Sequence, residues 1–280
     1  MSTPLLAIVL ALVSALMHAS WNAAVKSGTD RLTAVGVVDA VALVVCGLAM
    51  PFVAPPDPGA WTFVAISTVL NTAFRLFLVR AYQLGDFGQM YPIIRGVPPL
   101  AVAVISVALM DEPLGPTGWF GVALISVGII SLVLSNRLGE IRAVPIAYAV
   151  VAGLCVAGYT ASDAAGVHST ERMISYLVYL FVLESIPMPA LAAVVRRRRL
   201  LDYLRTQWKT GVFGGVNALA SYGLILWALS LGGVAKVEAL RETSVVLAAG
   251  IGTLVFKEPF GRNRVICSAI VAAGIVLVSL

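Results

Sequence analysis

Ten apolar stretches, each close to the length needed to cross a bilayer, follow one another along this chain of 280 residues. They cover 4–26, 32–53, 60–80, 89–110, 118–135, 143–165, 174–195, 209–229, 235–256 and 263–280. A helix rises about 1.5 Å per residue, so about 20 residues cover a hydrocarbon core of about 30 Å. Inside that core each backbone polar group must be satisfied within the protein, and a helix does this within its own segment. Only 12% of the residues are charged, against about 25% in soluble domains. There is too little polar surface to cover a water-soluble globule.

The stretches repeat. An offset of 147 carries Ala81, Leu84 and Gly85 onto Ala228, Leu231 and Gly232. After a slip of one residue, 146 carries Arg95 onto Arg241, Glu112-Pro113 onto Glu258-Pro259, Gly115 onto Gly261 and Gly128 onto Gly274. An offset of 138 carries Leu16, Ala19 and Trp21 onto Leu154, Ala157 and Tyr159. Internal symmetry of this kind marks transporter folds. Five spans per half is an odd number, so the halves insert in opposite directions. The expected fold is an all-α integral membrane protein of ten transmembrane helices, built as two inverted five-helix repeats over 1–137 and 138–280.

Loop charge sets the orientation. Of the 19 Lys and Arg residues, fourteen follow odd-numbered spans: Lys26, Arg31, Arg80, Arg137, Arg142, Arg196 to Arg199, Arg205, Lys209, Lys257, Arg262 and Arg264. Arg172 and Lys236 lie on the other side, and Arg75, Arg95 and Arg241 lie inside spans. This bias puts the odd loops in the cytoplasm and both termini outside an inner, multi-pass membrane location. The net charge of +5 therefore belongs to loops, and no interleaved basic and aromatic run points to nucleic acid. Cys46, Cys155 and Cys267 sit far apart in apolar segments and read as small buried hydrophobes. No metal or cofactor is expected. The start, Met1-Ser2-Thr3-Pro4, has no basic n-region, so the first apolar run reads as a retained span.

The stretch Arg80 to Pro99 leaves one span through a polar turn and enters the next with Tyr91, Arg95, Pro92, Pro98 and Pro99 at lipid depth. A guanidinium there needs a partner, water or a ligand. Prolines there free backbone carbonyls, which is tolerated where a helix lines a cavity. Span 1 carries Ser14, His18, Asn22 and Lys26 at steps of four beside Trp21, which places them on one helix face. Such a stripe either lines a cavity or bonds neighbouring helices. Further polar residues inside spans are Asp39, Asn71, Arg75, Tyr159, Asp163, Glu184, Asn217, Ser221, Tyr222, Glu238, Arg241 and Glu242. Three arginines against five acids nearly cancel, and mutual pairing lowers their burial cost. Asp39 reads equally as a structural partner for a nearby cation. Arg241 has Glu238 and Glu242 as local partners.

Arg95 and Arg241 each lie about six residues, or about 9 Å, into spans that start on opposite faces. Their Cα atoms would then differ by about 12 Å in depth within a core of about 30 Å. The expectation is an inner gate at Arg95 and an outer one at Arg241. Spans 5 and 10 carry small residues without charge, Gly121, Ser126 and Gly128 and Ala272, Ala273 and Gly274. These predict close helix packing, with a homodimer through spans 5 and 10 as a further expectation.

Together, His18-Ala19-Ser20-Trp21-Asn22 with Lys26, the run Arg80-Ala81-Tyr82 through Gly85-Asp86, Gln89, Tyr91-Pro92 and Arg95-Gly96, and the Glu-Pro pairs resemble the EamA-like permeases of the drug/metabolite transporter superfamily. The resemblance covers essentially the whole chain. It implies ten spans, export or exchange of small metabolites, and a central cavity lined by spans 1, 3, 4, 6, 8 and 9. It also implies termini inside the cell. The charge count implies the reverse and is followed here.

The functional expectation is a secondary transporter moving a small polar or zwitterionic metabolite across the cytoplasmic membrane by alternating access. A proton or counter-solute gradient would drive it, since no Walker A loop is present. His18, Glu238 or Glu242 could carry a proton. The candidate cavity residues are His18, Trp21, Asn22, Asn71, Arg75, Tyr91, Arg95, Tyr159, Asn217, Tyr222, Glu238, Arg241 and Glu242. An intramembrane enzyme ranks below this reading: Gly-x-Ser-x-Gly and His-Glu-x-x-His are absent and there are only two histidines. A flippase of lipid-linked substrates, or a non-transporting structural subunit, is the alternative.

Overall fold

Residues 3–26, 30–85, 87–135, 143–244, 247 and 262–279 are described in the computed structural model of the chain. They form α1 (Thr3–Lys26), α2 (Arg31–Ala49, followed by a 3-10 turn at Met50–Phe52), α3 (Ala60–Leu84), α4 (Phe87–Leu109), α5 (Pro116–Ser135) and α6 (Ala143–His168). The second half continues with α7 (Met173–Glu184), α8 (Pro187–Val195), α9 (Arg197–Thr206), α10 (Trp208–Leu231), α11 (Val234–Arg241) and α12 (Arg262–Ser279). No strand occurs among the described residues.

Among the described residues, five stretches are long and apolar enough to cross a membrane: Leu32–Phe52, Ala60–Leu84, Ala143–His168, Met173–Val195 and Trp208–Leu231. Shorter apolar helices cover Leu5–Ser20, Ile93–Leu109, Pro116–Ser131 and Ile266–Val278. Of the span expected at 235–256, residues 235–244 and 247 are described. Its remainder and Glu258-Pro259 lie outside the described residues.

The packing reverses what water would select. Ala7, Ala11, Ala15 and Ala19 recur at steps of four along α1, all no more than 4% exposed. Leu5, Val9, Leu12, Val13 and Leu16 point outward. Small residues let helix backbones approach, while larger aliphatic side chains meet lipid at no cost. An apolar exterior of this extent would aggregate in water. The chain is a multi-pass membrane protein.

Helix pairing carries the repeat into space. α3 lies along α6 as α1 lies along α10. α4 meets α6 as α11 meets α1, and α2 meets α10 as α7 meets α3. α5 packs on α12. A Cβ built on Gly121 would fall 2.7 Å from the Gly274 carbonyl and from Val278, whereas one on Gly128 would meet Ile270 and Val271. Rising numbers on α5 thus meet falling numbers on α12, so the two run antiparallel. Gly121, Gly128 and Gly274 are turned into this contact within one chain, whereas Ala272 and Ala273 are exposed.

Two glycines repeat in detail. Gly85 closes α3 with φ −140° and ψ 163°, and Gly232 closes α10 with φ −143° and ψ 167°. Their N–H groups donate to Ala81 O at 2.9 Å and Ala228 O at 3.0 Å. A Cβ on Gly85 would lie 2.9 Å from Pro145 Cβ, and one on Gly232 would lie 3.4 Å from Ala7 Cβ. The sequence offsets of 147 and 138 carry the first contact onto the second.

Loop contacts sort the ends of the bundle. Asp30 caps α2 by accepting from Thr33 N–H at 3.3 Å, and it pairs with Arg196 at 3.6 Å and Arg199 at 3.0 Å beside α9. At another end Asp57 accepts from Thr170 Oγ1 at 2.7 Å and from Glu171 N–H at 3.3 Å. The Thr170 hydroxyl, with help from that N–H and the charge of Arg172, holds the Asp57 carboxyl below its usual range. Glu112 Oε2 accepts from Val234 N–H at 2.8 Å, capping the start of α11. The first Glu-Pro pair therefore joins the two halves.

One correction concerns the Arg196–Arg199 run, which reads as a loop in sequence. Arg197–Thr206 is a helix. It has no Gly or Pro, and it turns Tyr203 and Leu200 against Ala34 and Val37 of α2. Burial of an apolar face outweighs the local charge.

Candidate functional site

Charged and aromatic side chains from seven helices converge inside the bundle. At the α4–α11 contact, Arg95 Nη2 lies 2.9 Å from Glu242 Oε1 and donates to Ser244 Oγ at 3.1 Å. One turn back, Arg241 Nη1 reaches Glu238 Oε2 at 3.5 Å. Arg95 and Arg241 are 6% and 4% exposed, and both glutamates are fully buried. A buried guanidinium stays charged, and a carboxylate at this range offsets its burial cost.

Tyr222 on α10 connects this cluster to a second one. The Arg241 guanidinium lies 5.6 Å from the Tyr222 ring centroid, a cation–π contact. The Tyr222 hydroxyl donates to Asp163 Oδ2 on α6. Tyr176 of α7 donates to Asp163 Oδ1 at 2.8 Å. Tyr159 and Phe181 meet the Tyr222 ring edge-to-face at 6.2 and 5.7 Å, and Phe74 meets Tyr159 at 6.0 Å. Asp163 itself is fully buried. A third group joins α2 to α3 through the Asp39–Arg75 ion pair. Glu184, at the end of α7, lies within electrostatic reach of Arg75 and Asp163.

The expected site residues divide accordingly. Arg95, Glu238, Arg241, Glu242, Tyr159 and Tyr222 come together. His18 is half-buried and lies within electrostatic reach of Arg95 and Arg241. Asn71 is buried on α3 with its Oδ1 unbonded. Arg75 pairs with Asp39 of α2. Asn217 donates to Phe213 O of its own helix at 2.9 Å and is not turned into the cluster by that bond. The side chains of Trp21, Asn22, Lys26, Tyr91 and Pro92 lie outside the described residues. Ser14 of the span 1 stripe holds helices together: Ser14 Oγ donates to Ser221 O at 2.7 Å and Ser221 Oγ to Ser14 O at 2.9 Å.

Arg95 and Arg241 pair with different acids, Glu242 and Glu238, but the two pairs are neighbours, since Glu242 follows Arg241 in the chain. The two-gate expectation followed depth along single helices and missed the lateral contact of α4 with α11. Sequence reasoning also missed Tyr176 and Ser244 and left Asp163 out of the site. Tyr159 and Asp163, four apart on a span, were the available signal for Asp163. Tyr176 had none.

A profile of the EamA-like transporter family matches residues 5–134 and again 144–280. The chain belongs to the EamA-like transporter family. Its membership in the drug/metabolite transporter superfamily follows, and the polar cluster lies within a transporter scaffold rather than an enzyme scaffold. A solved structure titled "Crystal structure of protein" superposes with a TM-score of 0.77 at 15% identity, over 99% of this chain and 96% of that one. At that identity it shares the fold with this EamA-like protein. No curated protein matches the chain.

Proposed function

We propose that this EamA-like protein is a secondary transporter that moves a small polar or zwitterionic metabolite across the cytoplasmic membrane by alternating access. The observation that carries the reading is the Arg95–Glu242 pair, buried between α4 of the first half and the segment after α11 in the second. An ion pair across two halves holds them together in one state and is available to a zwitterion in another. Its carboxylate would meet Arg95 or Arg241, and its ammonium Glu238 or Glu242, with Tyr159 and Tyr222 closing on the apolar part. Export or exchange would be driven by a proton or solute gradient.

The scaffold reading that goes with it is ten spans in two inverted repeats, 1–137 and 138–280. The antiparallel α5–α12 pair and the repeated Gly85–Pro145 and Gly232–Ala7 contacts support inversion. The Lys/Arg bias supports termini outside the cytoplasm. A homodimer through spans 5 and 10 would have to use their lipid-facing sides, such as Phe120 and Val127 on α5.

The test is a thermal-shift screen of metabolites on purified protein, followed by liposome flux with the hits. The expected result is stabilisation and flux by a zwitterionic solute, with flux lost in Arg95→Gln. Equal flux in Arg95→Gln would remove the pair from the mechanism. A protein that binds no solute and supports no flux would point to a structural subunit.

A further inference from the structure

Inside the described part of the bundle, three guanidiniums face five carboxylates. The ion pairs Asp39–Arg75, Arg95–Glu242 and Arg241–Glu238 engage three of the acids. Asp163 and Glu184 are left. Asp163 accepts hydroxyl hydrogens from Tyr176 and Tyr222, one on each oxygen, which supports an anion. Glu184 has nothing comparable. It is 3% exposed, it forms no ion pair among the described residues, and its Oε2 meets no hydrogen-bond partner.

Its place in the backbone sharpens the contrast. Glu184 is the last residue of α7, where the helix stops before Pro187 and restarts as α8. Pro187 and Pro189 bring no N–H to continue the ladder. Ser185 Oγ, buried at this break, is also unbonded. A helix C-terminus carries partial negative charge, so a carboxylate there is opposed by the backbone as well as by burial. Broken helices at mid-membrane are where transporters hold small cations and protons.

The groups facing Glu184 come from every helix packed on α7. They are Cys46 of α2, Arg75 of α3, Asp163 of α6, Tyr222 of α10, and Tyr176 of α7 itself. Arg75 is the cation in this set, and Asp39 already holds it.

We propose that Glu184 is a proton-binding carboxyl of this protein, taking one proton from water onto a carboxylate oxygen and returning it as the helices rearrange. The O–H bond formed removes one negative charge and supplies a donor for the unbonded Ser185 oxygen. A move of Arg75 from Asp39 towards Glu184 expels the proton. The coupling of this step to solute movement rests on the transporter reading, whereas the binding of the proton does not.

Infrared difference spectroscopy on the full-length protein in lipid tests this without a known solute. The wild type should show the carbonyl band of a protonated carboxylic acid, downshifted in D2O and lost on alkaline titration. The band should disappear in Glu184→Gln and persist in Asp163→Asn. Should Glu184→Gln fail to fold, Glu184→Asp should keep the band at a shifted frequency. A wild type without the band, a band surviving in Glu184→Gln, or one unmoved in Glu184→Asp would overturn the proposal. Loss of the band in Asp163→Asn alone would overturn it too. An intact band in a protein that moves no solute would sink the transporter reading and leave the proton site standing.

Discussion

Tyr222 gives its hydroxyl to Asp163 while the guanidinium of Arg241 rests on its ring. One side chain thus ties a buried acid of α6 to a buried cation of α11. Movement of α10 would alter both contacts at once.

Tyr222→Phe keeps the ring and removes the donor. Asp163 would be left with Tyr176 as its hydroxyl partner. Loss of a bond to a buried acceptor costs about 1–3 kcal/mol. The expected outcome is a lower melting temperature in detergent with the cation–π contact retained and flux reduced. An unchanged melt would show that water replaces the hydroxyl.

Arg95→Gln strands Glu242 without its cation. Breaking a buried pair from one side costs about 3–5 kcal/mol. The double variant Arg95→Gln/Glu242→Gln should recover most of that loss and still fail to move substrate. A double-mutant cycle on thermal stability reads the coupling. Additive losses would show that the two groups do not interact.

Gly121→Val places a side chain against backbone. Its Cβ would fall 2.7 Å from the Gly274 carbonyl, and backbone on a packed helix gives way poorly. Overpacking of this kind costs about 1–3 kcal/mol. The melt should drop with no change in oligomeric state by size exclusion. A change of state with an unchanged melt would place this face between copies of the chain.

The Asp30 pair on α9 predicts a small acid-side effect. Burial pushes the Asp30 carboxyl up, but the Arg199 hydrogen bond, the Thr33 N–H and the charges of Arg196 and Arg199 outweigh it and hold it below the usual range. A depressed acid stabilises the fold at and above ordinary carboxylate pH. That contribution is lost as pH falls from the unfolded value through the lowered folded one. Both arginines are exposed, so the pair is worth under about 1 kcal/mol and is screened by salt. Asp30→Asn should flatten the acid limb of the melting profile slightly at low ionic strength and not at high. An equal change at both would assign the effect to helix capping.

Glu112→Ala should cost about 0.5–2 kcal/mol by uncapping α11. Urea or thermal melts would show it, and Glu112→Gln should recover part of it through its own carbonyl oxygen. A silent Glu112→Ala would mean that water caps the helix equally well.

Much of this was legible along the chain. Apolar length alone marks membrane helices, because a bilayer imposes one period on every crossing segment. Charges stand out against such a background, so Arg95, Glu238, Arg241 and Glu242 could be picked out singly. The offsets of 147 and 138 even carry one glycine contact onto another. α9 was hidden because a run of four arginines resembles a loop until Tyr203 has α2 to pack on.

What sequence could not decide was partnership. Arg95 and Glu242 are 147 positions apart, and Tyr222 and Asp163 are 59 apart. No helical period spans such distances. Periodicity tells which face of a helix is polar, and only the lateral packing of α4 on α11 and of α10 on α6 tells which charge answers which. The same packing left Glu184 at a break in its helix with no cation to itself among the described residues, because three guanidiniums in the bundle had already been claimed by three other acids.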